Sequence, residues 1–351
     1  MKRTIKLLVF LSFCGWNTVA NALEIIAPAE VKPGEVFFVE LKNLPPNPLI
    51  SGMIDGEFLK FFQWKDKFGA FVGIDAAEPA GEKKIVMSEF VSTEQPLILK
   101  ELGIKVSKRD FPEVRVKRTK LTPLEQLRVS REKDIIRQAL QKSESHPLWQ
   151  EWFGSPLIKL VISKGGEFGL VRKSILEVRQ NKGVDLVGLI GTPVRAGNAG
   201  RVVLVGNFLL DGEIVVIDHG LNLFSLYIHL NSIKVQTGDR VAKGTIVGSL
   251  GKSDRASGPY LHWEILLGGK KVDPLAFLAF EEKIFPKKSP SVPEKVGKVF
   301  GPVEPDLLGL VELGKERLRQ EPIYFYTSRA TKNTLIGKGR KTRRVSKEIE
   351  A

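Results

Sequence analysis

Cysteine is almost absent from this chain: of 351 residues only Cys14 is one, and it sits near the N-terminus. If that segment is removed, no disulfide can form, so stability has to come from burial. Histidine is scarce as well. His146, His219, His229 and His262 are the whole supply, so any imidazole-based site must be built from these four. Beyond the first residues no apolar run is long enough to cross a bilayer.

The N-terminal stretch, "MKRTIKLLVFLSFCGWNTVANA", places Lys2, Arg3 and Lys6 before a short apolar run. It closes on Ala20-Asn21-Ala22, with small residues where a signal peptidase needs them, which predicts a secretory signal peptide over residues 1–22. Phe13 precedes Cys14 where a lipid-anchored leader needs a small residue, so no lipid anchor is expected. The 54 Lys and Arg exceed the 40 Asp and Glu to give a net charge of +14. Removing the three leader cations leaves +11. Such an excess attracts polyanions. For an exported protein, in the periplasm or at the cell surface, these are wall polymers or anionic lipid rather than nucleic acid.

The expected fold is mainly β, in segments. Residues 23–108 alternate short apolar runs with turn signals, Pro33-Gly34 and Pro79 to Gly81 among them, and predict a small antiparallel β-sandwich. Residues 109–150 form a helical linker. Thr122, Pro123 and Glu125 make a capping box there, with Leu124, Leu127, Ile135, Ile136, Ala139 and Leu140 expected along one packed face. From 151 to 281 the chain is Gly-punctuated and β-rich, without a convincing helix. Strand breaks are expected at Gly206-Asn207 and Asp211-Gly212. Residues 282–351 hold a basic cluster, Lys338 to Lys347, that predicts a largely disordered tail able to adhere to an anionic wall or membrane surface.

On spacing alone, the chemistry-bearing positions are Asn181 and Asp185 in "NKGVDLVG", His229 in "LYIHL", and Tyr260 with His262 in "GPYLHWEI". Tyr260 and His262 are two apart, so a strand presents both on one face. Each of these positions, taken singly, also has an ordinary structural explanation.

The order of "EFGLVR", "NKGVDLVGLIGTPVRAGNAGRVVLVG", "IVVIDHGLNLFSLYIHL", "VQTGDRVAKGTIVGSLG" and "SGPYLHWEILLGGKKVDP" resembles the lysostaphin-type, or LytM, peptidase domain from Glu167 to Pro274. That resemblance implies an antiparallel β core and either a zinc endopeptidase that cuts peptidoglycan cross-link peptides or an inactive relative that regulates other wall hydrolases. In active members an H-x-x-x-D motif and the second His of H-x-H hold zinc. The first His of H-x-H and one further His handle the water and the oxyanion. Carried over, Asp185 and His262 match ligands and His229 matches a catalytic histidine. Asn181 stands at the other ligand position and Tyr260 at the other catalytic one. His219 matches a common family residue that is not a ligand.

Asn offers zinc a weak amide oxygen in place of an imidazole nitrogen, and a phenol of pKa near 10 is no base at neutral pH. His146 is remote in sequence. The expectation is an exported wall protein whose peptidase site is degenerate, binding peptidoglycan or its stem peptides or controlling a wall hydrolase, with no zinc unless the site is functional. The enzyme alternative uses Asn181, Asp185 and His262 as metal ligands, with or without His146, and His229 with Tyr260 to polarise the carbonyl. A scaffold joining the sandwich to the basic tail is a third reading.

Overall fold

The stretch Val36–Lys42, VFFVELK, is apolar at nearly every position, and a strand of that kind needs cover on both faces. It has it. Phe37, Val39 and Leu41 enter one core with Ile54, Val72, Ile85, Met87 and Ile104. Val36 and Phe38, pointing the other way, enter a second core with Phe62, Trp64, Trp149 and Trp152. In the computed structural model, which describes residues 23–44, 50–89, 97–117, 120–251 and 259–284, this strand belongs to a four-stranded sheet. The order is Glu24–Ile26, Val36–Lys42, Lys67–Gly73, Phe62–Trp64. A five-stranded sheet, Glu30–Val31, Leu97–Val106, Gly81–Glu89, Ile50–Ile54, Glu57–Phe58, covers its inner face and completes a sandwich. The expected leader and nearly all of the expected basic tail lie outside the described residues.

The outer face of the four-stranded sheet packs on aromatic rings from later in the chain. Trp64 and Trp149 meet edge to face at 4.5 Å, and Phe71 lies 5.4 Å from Trp152, which in turn lies 4.9 Å from Phe277. Rings of this size bury the most apolar area per residue, so this cluster dominates the cohesion of the two β regions.

The capping box forms as expected: Thr122 N–H donates to Glu125 Oε2 at 2.8 Å and Glu125 N–H to Thr122 Oγ1 at 3.2 Å. The helix runs Pro123–Ala139, but its packed face differs from the expectation. Leu124, Leu127 and Ile135 are exposed. The face that packs carries Val129, Glu132, Ile136 and Leu140, the last two against Phe208, Ile214 and Phe224. Glu132 is charged, and nothing in the helical pattern marks it for burial. Its carboxylate is nevertheless buried, accepting Leu209 N–H at 3.0 Å and Arg128 Nε–H at 2.7 Å.

A nine-stranded sheet holds the second β region, in the order Val184–Val187, Tyr260–Leu267, Leu223–Ile233, Gly212–Asp218, Gly200–Phe208, Arg240–Val241. Pro193–Arg195, Ile246–Leu250 and Lys270–Val272 pair off that path. Two expectations need correction. Gly206-Asn207 is no break, since both lie inside Gly200–Phe208 and pair with Ile214 and Glu213. The second reversal falls instead at Gly220-Leu221-Asn222, all three at positive φ. The region also ends in helices, Pro274–Leu278 and Phe280–Ile284, where none was expected. The start signal was legible: Asp273 caps Leu275 N–H at 3.1 Å and Pro274 occupies the first turn.

Candidate functional site

Two neighbouring antiparallel strands make the floor of the site. Val184–Val187 pairs with Tyr260–Leu267 so that Asp185 stands directly opposite His262 and Val187 opposite Tyr260. Directly opposed side chains share a face. Alternation along the second strand puts Tyr260, His262 and Glu264 on that same face. Of the five residues expected from the sequence, Asp185, His229, Tyr260 and His262 are brought together here, and Asn181 lies just before the first strand.

Asp185 Oδ1 receives His262 Nδ1–H at 2.6 Å, and its Oδ2 receives Arg172 Nη2–H at 2.8 Å. The other ring nitrogen of His262 meets Glu264 Oε1 at 3.1 Å, and Lys271 Nζ donates to Glu264 Oε2 at 2.6 Å. These groups form one chain of alternating charge: Arg172, Asp185, His262, Glu264, Lys271. Burial alone would pull the His262 pKa down, but hydrogen bonds and charge from Asp185 and Glu264 outweigh it and raise it to about 9. Burial would raise Glu264; Lys271 and His262 instead bring it to about 2. Burial likewise pushes Asp185 up, and His262 and Arg172 hold it below the ordinary carboxylate range. Charges of opposite sign in a buried setting stabilise each other's ionised forms.

Asn181 is buried and turned toward the main chain, its Nδ2 donating to Gly166 O and Glu167 O, each at 3.1 Å. The loop it ties down crosses close over Asp185. A Cβ on Gly166 would stand 2.5 Å from the Asp185 Cβ, and one on Gly183 would collide with Trp263 O and reach His262 Nε2 at 3.0 Å. Only glycine lets both backbones approach this near.

His229 arrives by a bulge. The pairing of Gly212–Asp218 with Leu223–Ile233 steps from Val215↔Tyr227 to Glu213↔Leu230, and His229 sits in the step at φ +65°. A bulge re-aims a side chain, and the left-handed backbone of a non-glycine residue marks a position under local constraint. His229 N–H is held by Asp211 O at 3.0 Å. Its ring stands edge-on to Tyr260 at 5.1 Å and lies 6.4 Å from His262. Burial, then the charge of His262, lowers its pKa to about 4, and among the described residues its buried Nδ1 has no partner. Burial, then the charge of Asp185, raises the Tyr260 hydroxyl.

Sequence reasoning missed Arg172, Glu264 and Lys271. Glu264 had a signal, being two residues past His262 on the same strand. Arg172 had only its place in "EFGLVR", and nothing in the sequence placed its guanidinium on Asp185. His219 lies away from the site: its Nδ1 meets Ala199 O at 2.8 Å and its Nε2 meets Ser225 Oγ at 2.7 Å. His146 lies before the core, where its main-chain carbonyl approaches Gly220.

Fold and site together make a mainly β core with its polar face on two adjacent strands. Residues 179–274 match the model of peptidase family M23, so the chain carries an M23 domain of the LytM/lysostaphin type. Over 96 residues it is 38% identical to the peptidoglycan DD-endopeptidase ShyA of Vibrio cholerae, covering 27% of this chain and 22% of that protein. Over 101 residues it is 40% identical to a lipoprotein NlpD/LppB homologue of Pseudomonas aeruginosa, covering 28% of this chain and 33% of the relative. The chain therefore spans a third or less of the length of these two relatives. A crystal structure of an M23 peptidase from Pseudomonas aeruginosa is alike in fold, at a TM-score of 0.50 and 24% identity, over 70% of this chain and 94% of that one.

Proposed function

We propose that this is an exported cell-envelope protein whose M23 domain binds peptidoglycan peptides without cutting them, acting as a wall-binding or hydrolase-regulating module. The single observation that carries this reading is that Asp185 and His262, the two retained ligand positions, are spent on each other and on neighbouring charges. A catalytic zinc needs three protein ligands with free lone pairs and one open position. Asp185 has both oxygens engaged, one by a guanidinium. His262 has both ring nitrogens between carboxylates, an arrangement that holds it as the imidazolium, which has no lone pair to give. Asn181 is fixed to the main chain through its Nδ2 and has only an amide oxygen to offer, a weaker zinc donor than an imidazole nitrogen. This donor set does not fit zinc. Arg172 and the His262 cation supply the positive charge that Asp185 requires.

Export is supported by the N-terminal sequence pattern, and wall peptides as ligand by the resemblance of residues 179–274 to peptidoglycan endopeptidases. The enzyme alternative draws on the survival of Asp185, His229 and His262 together, yet Asn181 leaves it short of one imidazole ligand, Tyr260 of one catalytic imidazole, and the remaining base, His229, has its pKa lowered by burial to about 4. The test pairs two assays on the full chain: co-sedimentation with intact sacculi, and release of soluble products from cross-linked muropeptides with zinc supplied. Binding without release is expected. Cleavage that disappears on Asp185→Ala would replace this reading with the enzyme.

A further inference from the structure

One edge of the M23 domain bares aliphatic side chains. Residues 156–161 and 187–195 run side by side there. Val187 N–H donates to Val161 O at 2.8 Å at one end, and Arg195 N–H to Pro156 O at 2.9 Å at the other. Between those ties the second segment makes a tight turn: Thr192 N–H donates to Leu189 O at 3.0 Å, and Gly191 supplies a φ of +85°. Surface turns are ordinarily built from Gly, Asn, Asp, Ser and Pro. Here Leu189 is 83% exposed and Ile190 60%. On the neighbouring segment Ile158 is 87% exposed, and Leu160 and Val161 are exposed too. A Cβ on Gly191 would meet nothing within 4 Å among the described residues, so the turn stands clear of them.

The charges on this ridge have one sign. Residues 156–164 and 186–195 hold Lys159, Lys164 and Arg195 and no Asp or Glu. Lys159 and Lys164 are exposed, with no ion-pair partner among the described residues. Clustered apolar groups left in water mark a surface that meets protein or lipid. Lysine is depleted from protein interfaces, yet Lys159 stands between Ile158 and Leu160 in the middle of the apolar stretch. Lipid accommodates both: aliphatic tips enter the acyl boundary while lysines on long stems reach the headgroup phosphates. We propose that this ridge docks the M23 domain on an anionic lipid surface, with Ile158, Leu189 and Ile190 inserted and Lys159 and Lys164 on the phosphates. The docking is separate from the basic tail and independent of what the polar site binds. Val187, where the ridge begins, stands opposite Tyr260, so docking holds that site beside the lipid.

The test uses the full chain with Cys14→Ser, which removes the one native thiol. Leu189→Cys then takes a polarity-sensitive fluorophore, and Leu124→Cys, on the exposed side of the helix, takes it as the control. Each is titrated with vesicles of mixed phosphatidylglycerol and phosphatidylcholine, and with vesicles of phosphatidylcholine alone. The label at 189 should shift to the blue with the mixed vesicles only, and the label at 124 with neither. Lys159→Gln together with Lys164→Gln should weaken the mixed-vesicle titration roughly twentyfold at low salt, about fivefold for each lysine. Ile190→Asn should weaken it roughly tenfold. All three positions are exposed, so these variants keep the fold, which circular dichroism checks. A chain that sediments with vesicles while the label at 189 stays unshifted binds through another segment and overturns the inference. Equal shifts with both kinds of vesicle, or titrations that the variants leave unchanged, also overturn it. So does a label already blue without vesicles, because a second copy or another part of this chain then covers the ridge.

Discussion

Replacing Asp185 by Asn keeps the volume of the side chain and removes the charge that joins Arg172 to His262. In the native protein that carboxylate is buried and meets two cations, at 2.6 Å and 2.8 Å. With an amide in its place, a single neutral oxygen is left for His262 and Arg172, which otherwise keep only the Glu264 carboxylate and the Gly165 carbonyl, respectively. Breaking a buried pair by removing one member costs about 3–5 kcal/mol, since the remaining charge stays desolvated. For a folded unit of this size each kcal/mol moves the melting temperature by about 2–4 °C, so Asp185→Asn should lower it by roughly 6–20 °C. The assay is thermal unfolding followed by near-UV circular dichroism, run with and without EDTA. EDTA should leave the wild-type transition where it is, because charge pairing rather than a metal holds these strands. The reasoning is refuted if EDTA alone reproduces the fall in wild-type protein, or if the variant melts within a degree or two of it.

Three further outcomes follow from the packing and the charges. His219 is fully buried, and burial lowers its pKa to about 4 from 6.5. That stabilisation is present above pH 6.5 and lost as pH falls toward 4, about 3 kcal/mol in all, which urea midpoints at the two pH values measure and His219→Gln should blunt. His262 works in the opposite sense: its pKa of about 9 gives stability that is complete below 6.5 and fades as pH rises through 9, so His262→Gln should flatten the alkaline limb of the same series. Gly183→Ala drives a methyl group into Trp263 O and the His262 ring and should cost about 1–3 kcal/mol by denaturant unfolding.

How far the sequence disclosed this arrangement depended on the range of the forces involved. Local patterns read well: the capping box at Thr122, the antiparallel runs, and the shared face of Tyr260 and His262 each rest on contacts within a few residues. The helix face was misjudged because Glu132 finds its partners in Leu209 and Arg128, and only the folded chain shows that a carboxylate can be the buried position there. Val36–Lys42 gave no sign from its own composition of what would cover its second face. That cover comes from Trp149 and Trp152, more than a hundred residues on. Within the site, family spacing located Asn181, Asp185, His229, Tyr260 and His262, but not the charges that bind them together. Lys271 reaches in from the strand paired with Tyr260–Leu267 and Arg172 from Val171–Lys173, a strand of a different sheet, and no local period records such a reach.

The most direct check is the metal content of the native chain, purified without chelators and analysed by plasma mass spectrometry. An ion-paired Asp185 and His262 predict zinc far below one atom per chain, with no gain after dialysis against the metal. One firmly held zinc per chain, released by Asp185→Ala, would contradict the account.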